Sequence, residues 1–262
     1  MRKLISLGVV IIVAGVLFSG CKLGKAKDEQ KPVAESTPKP KVNLIDIKER
    51  PYVSLQPLQS RNELQFVISN LPKKASSVEV ILEYDRNKGV LDAVLKNFSL
   101  PAIPYADKLF MGSKSSGGHI TFHEDVIGGT LTLNFTGPEN YSVQVPWRYD
   151  DTQPHYTQVA TADQKFQMVL DKPFRTPKIV IMQSPGLPSP VDGTLVAGPY
   201  LIRGVGPLPV MDAKLTIHLP QTEEGYKLMG FNGQKWQQFD SVLEGRTLTA
   251  TVPLVETYVV IQ

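Results

Sequence analysis

The sequence has a single cysteine, Cys21, among its 262 residues. One thiol cannot form an intramolecular disulfide, so a disulfide framework of the kind found in many exported domains is excluded. The folded part of the chain must therefore be stabilised by its hydrophobic core. About 220 residues are long enough for one large β-sandwich or for two domains of ordinary size.

An excess of positive charge is also missing from most of the chain. Lys and Arg number 28 and Asp and Glu number 25, but two basic residues belong to the first three positions. Residues 22–42 hold six lysines and three acids, which leaves 20 basic and 22 acidic residues from residue 43 onward. A nucleic-acid-binding surface requires a basic face on the folded part. This balance argues against nucleic acid as a partner.

Long apolar runs are absent except for one, which covers residues 4–18 and carries no charge. It follows the basic residues Arg2 and Lys3. A basic start and an apolar segment of about 7–15 residues are typical of a secretory signal peptide. The run is shorter than the roughly 20 residues that a membrane-spanning helix needs.

The end of this run, LFSGC, resembles the lipobox of bacterial lipoproteins, with Phe18 where that family most often has leucine. The resemblance covers residues 1–21. It implies that residues 1–20 are a signal peptide, that Cys21 receives a diacylglyceryl group, and that the protein is anchored on the extracytoplasmic side of a bacterial membrane. The alternative is an uncleaved signal anchor in a tilted or thinned bilayer.

Residues 21–42 are predicted to be the lipidated cysteine and a flexible stalk. The segment after the cysteine is rich in Lys, Glu, Pro, Ser and Thr and has no aromatic residue. Such a composition cannot bury enough apolar surface to fold. Lys22 follows the cysteine, so there is no aspartate retention signal, and in a Gram-negative host the resemblance to sorted lipoproteins favours the outer membrane.

The remaining chain is predicted to be all-β. In TLTLNF, residues 130–135, apolar and polar side chains alternate, and similar runs recur between turn residues along the chain. This pattern is typical of sandwiches and barrels. The Asn232-Gly233 pair between two such runs predicts a β-hairpin. A polar, turn-rich seam at residues 148–154 divides it, so we predict two tandem Ig-like β-sandwich domains, at 43–150 and 155–262. Residues 89–97 are interpreted as an irregular or short helical connection.

The last 75 or so residues resemble the closing strands of immunoglobulin-like modules in bacterial surface proteins. The resemblance rests on a hairpin that presents a tryptophan, followed by a Gly-containing turn and a final strand. It is carried by Leu228, Trp236, Gly245, Leu248, Ala250, Val252 and Tyr258. Residues 71–85 and 109–135 are similar, less closely, to exported domains of uncharacterised bacterial proteins. Neither resemblance implies an activity.

No motif in the sequence predicts catalysis or a cofactor. GSKSSGG, residues 112–118, lacks the lysine and the following helix of a phosphate-binding loop, and there is no nucleophile elbow. His119, His123 and Glu124 are weak candidates for a metal site, because two histidines four residues apart on a strand are separated by about 13 Å. We therefore expect no metal, no cofactor and no enzymatic activity.

The two tryptophans leave two interpretations open. Each can pack in a sandwich core, or it can stack on a sugar ring, and the two readings differ most for Trp236. The function predicted from the sequence is non-catalytic binding or scaffolding at the cell surface, with an envelope protein or a wall polymer as partner. The alternative is carbohydrate binding through an exposed Trp236, and an envelope enzyme comes third.

Overall fold

The computed structural model describes residues 41–59, 62–86, 89–150, 156–174 and 178–262. The predicted signal peptide, Cys21 and residues 22–40 of the predicted stalk lie outside the described residues. Within them the chain forms one short 3₁₀ helix, Ile47–Glu49, and otherwise strands. The strands are β1 Tyr52–Pro57, β2 Glu63–Asn70, β3 Ser77–Arg86, β4 Val90–Ser99, β5 Tyr105–Phe110, β6 Gly112–Lys114, β7 Ile120–Phe122, β8 Val126–Thr136, β9 Tyr141–Asp150, β10 Tyr156–Ala160, β11 Phe166–Phe174, β12 Ile179–Gln183, β13 Leu195–Gly204, β14 Asp212–His218, β15 Lys227–Phe231, β16 Trp236–Phe239, β17 Val242–Glu244, β18 Thr247–Pro253 and β19 Thr257–Ile261.

The strands form four antiparallel sheets, which confirms the all-β prediction. The largest has nine strands in the order β16-β15-β19-β13-β12-β9-β8-β3-β4. A five-stranded sheet has the order β10-β11-β14-β18-β17, and a three-stranded sheet the order β1-β2-β5. Strands β6 and β7 pair only with each other among the described strands.

At the centre of the nine-stranded sheet, both faces of the sheet are buried. On β12, Val180 and Met182 point into one hydrophobic core, while Ile179 and Ile181 point into another. Alternation along a strand sends successive side chains to opposite faces, so a strand covered on both sides reads as a continuous apolar run. IVIM in β12 is such a run, and it lies where the two cores share a sheet.

The first core lies between the three-stranded sheet and the β9-β8-β3-β4 part of the large sheet. Its largest side chains include Phe66, Tyr84, Phe135, Trp147 and Tyr149, each at most 1% exposed. The same core takes in Val180, Met182 and Leu201, which come from the chain beyond the predicted seam. It is therefore completed by residues from both predicted domains.

The second core lies between the five-stranded sheet and the β16-β15-β19-β13-β12 part of the large sheet. Phe166 is stacked on Tyr200 with ring centroids 4.7 Å apart, and Tyr258 lies 5.8 Å from Phe166. On the other face of β19, Val259 and Ile261 are covered by residues 187–195 and by Trp236.

Two predictions about the elements meet different outcomes. The connection predicted at residues 89–97 is wrong, because β4 is a strand paired with β3 over ten residues, from Ser77↔Ser99 to Arg86↔Val90. The hairpin predicted at Asn232 and Gly233 is confirmed: β15 and β16 pair across it, and Gly233 has φ +92°. Glycine adopts that left-handed conformation without steric cost.

The chain from Pro40 to Gln262 groups as one compact unit. β9 and β12 pair directly, from Ile179↔Asp150 to Met182↔Trp147. This pairing joins the two predicted domains within one sheet, so two separate Ig-like domains are not confirmed.

Candidate functional site

Three strand ends of the five-stranded sheet bring three basic residues together. Lys165 immediately precedes β11, His218 ends β14, and Arg246 immediately precedes β18. These strands are neighbours in the sheet, and backbone hydrogen bonds fix their ends in register. The His218 amide donates to the Lys165 carbonyl at 2.8 Å, and the Leu219 amide donates to the Arg246 carbonyl at 2.8 Å.

The three basic residues line a cleft of about 710 Å³. The second wall comes from two strands of the large sheet, β12 and β13. Among the described residues that line the cleft, none is acidic. Its lining is Lys165, Gln183, Val196, Ala197, Gly198, Tyr200, His218, Leu219, Pro220, Arg246 and Thr247.

The cations of the cleft are held loosely enough to meet a ligand. Lys165 Nζ lies 3.4 Å from the carboxylate of Asp163, but the Lys165 side chain is 62% exposed. An ion pair that exposed contributes little to stability. Arg246 donates one long hydrogen bond, 3.5 Å, to the Pro220 carbonyl. Both groups therefore keep donors available to the cleft.

In the wall opposite the basic residues, the backbone at Gly198 lies close to the backbone of Tyr258. A Cβ there would lie 2.7 Å from the Tyr258 carbonyl oxygen, and Gly198 has φ +92°. Only glycine fits such a position without a shift of the backbone. Beside it, burial raises the pKa of Tyr200 to about 12, and the negative charge of Asp163 adds to the shift. Tyr200 therefore stays a neutral phenol at physiological pH.

A second polar cluster lies at one end of the first core. Tyr84 and His123 share a hydrogen bond between the phenol oxygen and Nδ1, 2.9 Å long. Nδ1 also lies 3.3 Å from Oδ2 of Asp92, and Arg86 lies 3.6 Å from the same oxygen. Burial, with the charge of Asp92 second, raises the pKa of Tyr84 to about 12.

Asn62 connects this cluster to the rest of the sandwich. Its amide nitrogen donates to the His123 carbonyl at 2.6 Å. Its oxygen accepts from the Tyr149 hydroxyl at 3.3 Å and from Lys178 Nζ at 3.4 Å. The His123 amide donates to the Met111 carbonyl at 2.9 Å. The cluster therefore fastens the chain on both sides of the β6–β7 hairpin, which is a structural role.

The structure does not bring the weak metal candidates together. His119 is exposed, and its backbone amide donates to the Ser115 hydroxyl at 3.2 Å. Glu124 is exposed, whereas His123 turns toward Tyr84 and Asp92. Across the described ranges, no group of three or more His, Cys, Asp or Glu residues is placed to hold a metal ion.

The two tryptophans differ in their surroundings. Trp147 is 1% exposed, and its Nε1 donates to the Glu83 carbonyl at 3.2 Å. Trp236 is half-buried: its ring lies 5.2 Å from that of Phe231, and its Nε1 donates to the Ser189 carbonyl at 3.2 Å. Packing therefore accounts for Trp147, while Trp236 keeps one part of its indole accessible.

Sequence reasoning did not connect Lys165, His218 and Arg246 with one another, because they are far apart along the chain. A usable signal was present, because each lies at or next to the end of a run in which apolar and polar residues alternate. Their meeting depends on the strand order β11-β14-β18, which alternation within single strands does not reveal.

Comparisons with known proteins found no matching family model, no matching curated protein and no matching solved structure. A search of the described part of the chain for a helix long and apolar enough to cross a membrane found none. The site must therefore be interpreted from its own chemistry.

Proposed function

We propose that the protein is a lipid-anchored binding module on the extracytoplasmic side of a bacterial membrane, and that it holds its ligand in the cleft at Lys165, His218 and Arg246. The observation that carries this proposal is the cleft itself. Its volume of about 710 Å³ lies within the range of ligand sites in proteins. Its polar groups converge from three strands of a rigid sheet.

The location rests on the amino-terminal sequence. Lipid on Cys21 attaches the protein to the membrane, and the stalk over residues 22–42 separates the folded part from the surface. In a Gram-negative host we place it at the outer membrane. The partner is an envelope protein or a wall polymer, and the module carries out no catalysis.

The proposal extends to the architecture. We assign one Ig-like module to each core, the first built mainly from residues 43–150 and the second mainly from residues 155–262. The two cores on opposite faces of the large sheet support this division. The sheet that continues through both modules would hold the cleft in a fixed orientation relative to the first core.

Crosslinking in intact envelopes tests whether the cleft holds a ligand. A photoreactive amino acid placed at Val196, in the cleft wall, should capture a species that the same group at Val169, which is 47% exposed and outside the cleft, does not. Thr247→Phe should abolish the capture by filling the cleft. Thr251→Phe, on the same strand but outside the cleft, is the matched control. Equal capture at both positions would contradict the proposal.

The alternative function is carbohydrate binding through Trp236, which its partly accessible indole favours. A glycan array separates the two functions. Loss of glycan signal in Trp236→Ala with full signal in Thr247→Phe would favour the tryptophan, and the reverse pattern would favour the cleft.

A further inference from the structure

We propose that the cleft recognises an acidic polymer, namely a polyhydroxylated chain that bears phosphodiester or carboxylate groups. This inference rests on the proposed binding function and names the ligand class for the same site. It follows from three features of the cleft: the sign of its charge, the spacing of its cations and the nature of its remaining wall.

The first feature is a local charge that the rest of the folded chain does not share. From residue 43 onward acidic residues slightly outnumber basic ones. Lys165 and Arg246 nevertheless meet in one concave site, with His218 between them. A cleft lined by one sign of charge concentrates the field and attracts ligands of the opposite sign.

The second feature is the spacing of the basic residues along the sheet edge. Neighbouring strands lie about 4.8 Å apart, so the ends of β11, β14 and β18 extend over about 10 Å. That length exceeds a single oxyanion and suits successive charged groups on a chain. The Arg246 guanidinium can offer paired donors to a phosphate or carboxylate, and the Lys165 ammonium acts as a mobile point charge.

The third feature is the mixed character of the other wall. Gln183 and Thr247 supply amide and hydroxyl groups, and Val196, Ala197 and Gly198 supply apolar surface. A sugar or polyol can form hydrogen bonds to Gln183 and Thr247 through its hydroxyl groups, while its C–H groups lie against the apolar surface. Inorganic phosphate uses only the cations, so it should bind more weakly than an oligomer.

The concave shape favours a chain over a flat membrane surface. The cleft lies between two sheets, and Tyr200, one of its lining residues, is only 2% exposed. An extended polymer or its end can enter such a cleft. A bilayer, in contrast, contacts protruding residues. Vesicles with anionic headgroups are therefore a comparison in the test and are not the expected ligand.

The test uses the full-length protein in detergent and measures binding by calorimetry. The probes are a glycerol-phosphate oligomer, a galacturonate oligomer, a neutral glucose oligomer of equal length, inorganic phosphate and anionic vesicles. We expect one or both acidic oligomers to bind, with an affinity that falls as salt rises. Comparison of the two acidic oligomers distinguishes phosphodiester from carboxylate.

Matched variants locate the binding. Lys165→Ala and Arg246→Ala should each weaken acidic-oligomer binding about tenfold or more, as expected for losing a hydrogen bond to a charged group. Lys214→Ala removes the same charge from an exposed residue of β14 outside the cleft and should leave affinity unchanged. An unchanged melting temperature in all three variants would show that the fold is intact.

The outcomes separate this inference from the function on which it rests. Equal effects of the three variants, or binding of the vesicles alone, overturn the inference. If the neutral oligomer binds more tightly than the acidic ones, the acidic ligand class is wrong. If Thr247→Phe abolishes that binding, the cleft is still the binding site. Failure of all probes, together with failure of crosslinking at Val196, overturns both.

Discussion

Trp236 is the residue for which packing and ligand binding are hardest to separate. Its indole covers part of β15 and holds residues 187–195 through the hydrogen bond to Ser189. The chemistry of an indole suits both a core and a sugar-binding surface. Burial alone does not separate the two roles, since the side chain is only half-buried.

We expect Trp236→Ala to lower the free energy of unfolding by about 2 kcal/mol, less than the range of about 3–5 kcal/mol for a fully buried tryptophan. Thermal unfolding by circular dichroism measures the change. Trp236→Phe keeps the ring contact with Phe231 and should recover most of the loss. An unchanged melting temperature combined with lost glycan binding would instead establish Trp236 as a ligand-stacking residue.

Cys21 carries a prediction of another kind, because it concerns processing. Cys21→Ser should leave an unprocessed precursor, since a serine hydroxyl cannot form the thioether bond to the lipid. Intact-mass measurement of detergent-extracted wild-type protein should show the mass of a diacylglyceryl group on the processed chain. An unmodified thiol at Cys21 in the mature protein would contradict the lipoprotein assignment.

The sequence alone predicts the surroundings of Trp147 but not those of His123. Trp147 lies in phase with Val143 and Val145, so its burial follows from alternation within one strand. His123 stands next to Glu124 in the sequence. Its actual partners, Tyr84 and Asp92, come from β3 and β4, and only the folded sheet brings them near.

At the scale of elements, strands with a covered face and a polar face were predictable. The alternating run at residues 130–135 lies within β8, and burial alternates along β3 over residues 77–84. β4 was missed because it is an edge strand: Leu91 and Leu95 are 63% and 60% exposed, so its sequence, VLDAVLKNFS, lacks a clean polar face. Pairing with β3 overrides this weak local pattern.

The β6–β7 hairpin is an element whose stability depends on its attachment. It has three residues in each strand, and a two-stranded hairpin alone is marginal in water. The contacts of His123 with Tyr84, Asn62 and Met111 fix its base. The bonds with Asn62 and Met111 involve the backbone of His123, so a substitution at His123 removes only the side-chain part of this attachment.

We expect His123→Ala to cost the hairpin about 1–2 kcal/mol of local stability, because the side-chain hydrogen bond with Tyr84 and the contact with Asp92 are lost. Hydrogen exchange of amides in residues 112–122 should then become about 5- to 30-fold faster. His119→Ala is the control, because its side chain is exposed and should leave exchange unchanged. Equal acceleration in both variants would mean that the polar cluster does not hold the hairpin.

At the scale of the whole molecule, the shared sheet links the two halves of the chain. The sequence predicted a seam at residues 148–154 from polarity and turn residues. Polarity along one strand reports whether that segment is exposed, but it does not report which strand pairs with it. The pairing of β9 with β12 is a long-range property, and it determines whether the halves can separate.

The sequence predicts that residues 43–150 fold alone, whereas the shared sheet leads us to expect that they do not. Without β12 and β13, the first core loses Val180, Met182 and Leu201, and β9 becomes an exposed edge. The fragment also loses the hydrogen bond between the Tyr52 and Thr257 hydroxyls and the one that the Val53 amide donates to the Ser184 hydroxyl. Unpaired edges and exposed apolar surface favour aggregation over a unique fold.

Two-dimensional NMR of residues 43–150 decides between these expectations. We expect a poorly dispersed spectrum for this fragment, and the dispersion should return when residues 155–262 are added, because β12 can then pair with β9. The control is the intact 43–262 chain under the same conditions. A dispersed spectrum of 43–150 alone would show that its own strands close the first core, and the two tandem domains predicted from the sequence would then be independent folding units.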